Sequence, residues 1–95
     1  MVKHIVMFKL AEKNQASMDK ALAALKSLDG AVETLRSIEV GVDFKESERS
    51  YDIVLTTQFD DKAGLETYAA HPNHQPVLQT MRELCASSVV VDYEL

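Results

Sequence analysis

The spacing of apolar residues switches back and forth along this chain between two and three-to-four, in an order that few folds satisfy. Val2, His4, Val6, Phe8 and Leu10 alternate with Lys3, Ile5, Met7 and Lys9, the pattern of a strand with two partly apolar faces. From about Asn14 to Leu28, Met18, Ala21, Leu22, Leu25 and Leu28 recur at three and four residues, which predicts an amphipathic helix stopped near Gly30. Alternation returns over Leu35 to Phe44 and again over Tyr51 to Phe59. The polar run KESERS between them predicts an antiparallel hairpin.

Asp60 or Asp61 can cap a following helix with Leu65, Tyr68 and Ala69 on one face. That helix must falter at His71, because a residue before proline is pushed out of the α region. Asn73 can restart it, with Pro76 tolerated in the first turn and Val77, Leu78, Met81, Leu84 and Cys85 as its inner stripe. Ser87 to Leu95 reads as a last strand. The order βαββαβ, with the second helix broken in two, predicts an α+β, ferredoxin-like fold: a four-stranded antiparallel sheet with the helices on one face. The other face would carry Ile5, Met7, Val54 and Val90, too apolar for solvent, so a second copy of the chain is expected to cover it.

The bulk numbers narrow the function classes. At 95 residues the chain forms one domain, 1–95, because so short a chain cannot support two cores. It has no Trp and only three Phe and three Tyr, so aliphatic contacts and dimerisation must supply stability. A net charge of −5 with scattered Lys and Arg speaks against a nucleic-acid partner. The opening MVKHIVMFKL is too short and too interrupted by lysine to span a membrane, and it lacks a cleavage site for export. The single cysteine, Cys85, cannot form an internal disulfide, which fits a cytoplasmic protein.

The segment YAAHPNHQP, Tyr68 to Pro76, holds two of the three histidines and both prolines. It has a structural reading, as a corner that orders two helices, and a chemical one. At neutral pH an imidazole such as His74 can accept a proton, and the phenol of Tyr68 can donate to a carbonyl that becomes an enolate. His71, before Pro72, can bond helix-end carbonyls, and His4 lies on the most apolar strand face. Three histidines without a Cys cluster or a His-x-x-x-His helix make no zinc signature, and three isolated glycines make no phosphate loop. No cofactor is expected from side chains.

The stretches KHIVMFKL, YDIVLTTQF, LETYAAHPNHQPV and VVVDYEL together resemble the stress-responsive A/B barrel (Dabb) domain of the dimeric α+β barrel superfamily, over essentially the whole chain. The Y-x-x-H-P-x-H block is the most specific part. The resemblance implies a homodimer in which two sheets pack face to face as a dimeric α+β barrel. Most members of the family are small stress-associated or uncharacterised proteins. One plant member is the polyketide cyclase that makes olivetolic acid by an intramolecular aldol condensation, through a Tyr and a His that match Tyr68 and His74.

His4 matches a pocket histidine of that cyclase, while Ile53 stands where the cyclase has another histidine. By the same resemblance, magnesium held by backbone carbonyls would fall near Asp29, Val32 and Leu35. The functions left open are a small-molecule-binding or cyclase-like proton-transfer dimer, a non-enzymatic stress protein, and a cofactorless monooxygenase. In the first, His74 and Tyr68 are catalytic, His4 and His71 line the ligand pocket, and the ligand is a small carbonyl or phenolic compound.

Overall fold

A computed structural model describes residues 1–95. Its elements are β1 (Val2–Leu10), α1 (Gln15–Lys26), β2 (Ser37–Val42), β3 (Ile53–Phe59), α2 (Lys62–Ala70), α3 (Gln75–Leu84) and β4 (Cys85–Glu94). The sheet order is β2-β3-β1-β4, antiparallel throughout, as the ferredoxin-like reading requires. Each helix starts where local chemistry allows it. The Asn14 side chain accepts from the Ser17 amide at 2.8 Å and that of Asp61 from the Gly64 amide at 2.8 Å, caps worth about 1 kcal/mol each. The turn after α1 passes through Gly30 at φ +76°, a left-handed conformation that glycine adopts without strain.

One apolar core lies between the helices and a single sheet face. Leu25, Leu28, Val77, Met81 and Tyr68 from the helical side meet Val2, Phe8, Ile53, Leu55 and Phe59 from the strands. Burying each such aliphatic or aromatic side chain stabilises the fold by about 1.5–3 kcal/mol. Asp52, next to β3, is also buried, and its carboxylate accepts from the Leu10 amide at 2.8 Å while Lys13 lies 3.4 Å away. It thus closes the end of β1 as the strand leaves the sheet.

Two sequence expectations are corrected. Cys85 is not on the stripe of the last helix; it opens β4, opposite Leu10, and the Leu84 carbonyl accepts from the Ala11 amide at 2.9 Å. The ladder to β1 captures the chain there before another helical turn can form. Val90 does not share a face with Ile5 and Met7. Val90 pairs with Val6 and Asp92 with His4, so both sit on the helix-bearing side, while Val89, Val91 and Tyr93 pair with Met7, Ile5 and Lys3 on the other. A register irregularity at Lys9 and Leu10 shifts the start of β4 against β1, and strand alternation within either segment does not reveal it.

The helix-free face therefore carries Ile5, Met7, Val54, Val89, Val91 and Tyr93, a more continuous apolar surface than the sequence suggested. Met7, Val89, Val91 and Tyr93 are all exposed. No helix is long and apolar enough to cross a membrane.

Candidate functional site

The break between α2 and α3 is what assembles the site. Pro72 forces His71 into extended backbone (φ −63°, ψ 137°), ending α2 one residue earlier at Ala70, and α3 begins at Gln75 with His74 as its N-terminal boundary. Tyr68, in the last turn of α2, points inward onto the sheet and is 1% exposed. The reversal brings His74 beside it, with ring centroids 4.2 Å apart and planes inclined by 34°. Phe59 packs against the phenol from below at 5.0 Å, and His4 approaches edge-on at 6.1 Å.

The segment divides into residues that hold the corner and residues that face inward. The Asn73 amide nitrogen donates to the Ala31 carbonyl at 2.8 Å, and Gln75 donates to the Ala69 and His71 carbonyls at 3.1 and 3.3 Å. His71 accepts the Asn73 backbone N–H at Nδ1 and donates from Nε2 to Glu33 at 3.1 Å. Glu33 is held below the usual carboxylate range, first by a backbone hydrogen bond and then by His71. Both His71 nitrogens are therefore occupied, and its ring stays outside the cavity that Tyr68, His74 and His4 line. The pocket role expected for His71 is not where the structure puts it.

That cavity, of about 310 Å³, opens between α1, the broken helix and the sheet, within the range of small-ligand sites. Twelve of its fifteen lining residues are hydrophobic; the other three are His4, His74 and Ser88, so no charged side chain enters it. The Tyr68 hydroxyl is buried with no hydrogen-bond partner. Burial pushes the phenol up to about 12, which leaves it a proton donor at any physiological pH.

His74 makes no side-chain cap to α3. Its Nδ1–H donates to the Ala69 carbonyl at 3.2 Å, which leaves Nε2 with the lone pair. Burial lowers the imidazole below its ordinary value. The Ala69 carbonyl opposes that shift, and His4 and His71 add to it. The result is a neutral base next to a protonated phenol.

His4 is tethered by a residue the sequence reading missed. Its Nδ1 bonds the carboxylate of Asp92 across the β1–β4 ladder, turning the other ring nitrogen away from the strand partner. The pairing follows from the register of the first and last strands, for which the alternation of neither strand gives a signal. Ile53, by contrast, is a fully buried core residue between Phe8 and Val42.

Burial pushes the Cys85 thiol up, away from the thiolate a nucleophile needs. In the turn containing Asp29, Val32 and Leu35, the Val32 carbonyl accepts the Leu35 amide. A larger hollow of about 500 Å³ lies beside the hairpin, lined by Met7, Phe44, Arg49, Tyr51 and Val54, and it continues the exposed sheet face.

Comparison with known proteins agrees with this architecture. An uncharacterized protein of Streptomyces coelicolor is 33% identical over 97 residues, covering 99% of both chains. The crystal structure of a dimeric protein of unknown function with a ferredoxin-like fold, from Bacteroides fragilis, superposes with a TM-score of 0.85 at 32% identity, over 99% of this chain and 95% of that one. A hydroxynitrile lyase from Passiflora edulis reaches a TM-score of 0.85 over 99% of this chain and 92% of its own, but at 17% identity the likeness is one of fold. The family model described as the stress responsive A/B barrel domain matches residues 2–95, and the chain belongs to that family.

Proposed function

We propose that this protein is a homodimer that binds a small carbonyl-bearing compound between its helices and sheet, and that Tyr68 and His74 equip the pocket for proton transfer. The observation that carries the reading is the buried Tyr68 hydroxyl with no partner, on a ring 4.2 Å from that of His74, both residues lining a cavity of ligand size. A buried donor without an acceptor costs about 1–3 kcal/mol, and a ligand carbonyl recovers that loss on binding. A residue kept only for packing is normally satisfied by the protein itself.

The chemistry follows from the two groups. With a carbonyl oxygen on the Tyr68 hydroxyl, the His74 Nε2 removes a proton from the adjacent carbon. The C–H electron pair forms the C=C bond of an enolate as the carbonyl π pair moves to the oxygen, and the phenol stabilises that oxygen by hydrogen bonding. An enolate so formed can attack a second carbonyl, as in a cyclase, or recover its proton. The homodimer is supported by the apolar helix-free face and by the dimeric state of the Bacteroides fragilis protein.

The test is exchange of the α-protons of simple ketones in deuterated water, followed by NMR. Wild-type protein accelerates exchange, and His74→Ala abolishes the acceleration with little loss of stability. No acceleration by the wild type, together with a melting point lowered several degrees in His74→Ala, would establish the block as a structural corner and refute the proposal.

A further inference from the structure

We infer that the pocket selects an uncharged ketone or aldehyde over a carboxylate of the same shape. The inference rests on the reading of the pocket as a ligand site and deepens it. Every lining side chain is uncharged or a histidine, and neither Lys nor Arg reaches the cavity. His74 presents Nε2 as an acceptor because its N–H is committed to Ala69, so it repels rather than recruits an anionic oxygen. Asp92, an exposed residue of β4, holds the Nδ1 of His4 in a hydrogen bond, so that nitrogen is not free for a ligand oxygen.

The positive end of α3 works the other way. A helix N-terminus carries roughly half a unit charge, and Pro76, in the first turn, lacks one of the amides that would direct it at an anion. Stripping water from a full negative charge in a mainly apolar cavity outweighs that partial compensation. A neutral carbonyl loses little hydration and gains the one unused donor, the Tyr68 hydroxyl. The cavity volume of about 310 Å³ leaves room for an aromatic or short aliphatic body beside it.

Acetophenone and benzoate are matched probes, since a methyl group in one stands where the other has a charged oxygen. Calorimetric titration of the full chain at pH 8 gives acetophenone an affinity at least about tenfold higher, and Tyr68→Phe weakens acetophenone about fivefold or more. Equal or tighter binding of benzoate overturns the selection and leaves the pocket reading intact. Binding of neither probe overturns the pocket reading, and the selection with it. Acetophenone binding that ignores Tyr68→Phe places the ketone elsewhere and overturns both.

Discussion

Replacing Tyr68 by Phe should make the ligand-free protein more stable. Tyr68 is 1% exposed and its ring is fixed between Phe59 and His74, so the phenylalanine ring occupies the same place and only the hydroxyl is lost. That hydroxyl has no partner, and its removal relieves a desolvation penalty of about 1–3 kcal/mol. The void left by one oxygen, roughly 10–15 Å³, costs back about 0.3 kcal/mol. The net gain is about 1 kcal/mol or more, which for a domain of this size raises Tm by about 4–8 °C per kcal/mol. Scanning calorimetry of both proteins at pH 7 and equal concentration reads the shift directly. A variant with unchanged or lower Tm would mean the hydroxyl is already satisfied in the free protein, by ordered water or otherwise, and the argument that it awaits a ligand would fail. Stability gained by deleting a functional group is the expected signature of a site held ready at the fold's expense.

Other consequences are equally specific. Because burial lowers the His74 pKa, the folded state resists protonating it; its contribution to stability is present above the unfolded value of about 6.5 and is lost as pH falls through the folded value. An NMR titration of His74 therefore has its midpoint below that of a free histidine, and a midpoint at or above it contradicts the buried, neutral assignment. Asp52→Ala leaves the Leu10 amide without its acceptor and lowers stability by about 1–3 kcal/mol in urea unfolding, whereas a neutral outcome would show that water replaces the carboxylate. Val91→Glu places a charge on the helix-free face and converts a two-chain sedimentation mass to one chain; an unchanged mass would mean that copies associate through another surface.

Much of the fold was legible because each element buries one face. The alternation of Val2, Val6 and Phe8, the three-and-four spacing of Ala21, Leu25 and Leu28, and the proline at position 72 each leave a local trace of a tertiary role. The Tyr68–His74 pair was visible as two chemical groups, but their meeting depends on the angle of the chain reversal, which six intervening bonds of sequence do not encode. The ligand-binding reading put both His71 and His74 at the pocket. Burial separates them: one turns out to Glu33, the other inward to the phenol. Val90 was misplaced, and the tie from Asp92 to His4 missed, for a single reason. Their face is decided by pairing with a strand more than eighty residues away, which no local pattern records. Asp52 is buried because its carboxylate takes the Leu10 amide where β1 leaves the sheet, a long-range role that leaves no local trace.

The most direct test is a crystal structure of the protein grown with acetophenone. The account predicts the ketone in the cavity between α1, α3 and the sheet, its oxygen within hydrogen-bond reach of the Tyr68 hydroxyl and its methyl carbon facing the Nε2 of His74. A dry, closed cavity with the Tyr68 hydroxyl bonded to protein, or the ketone seated only on the outer surface, would contradict it.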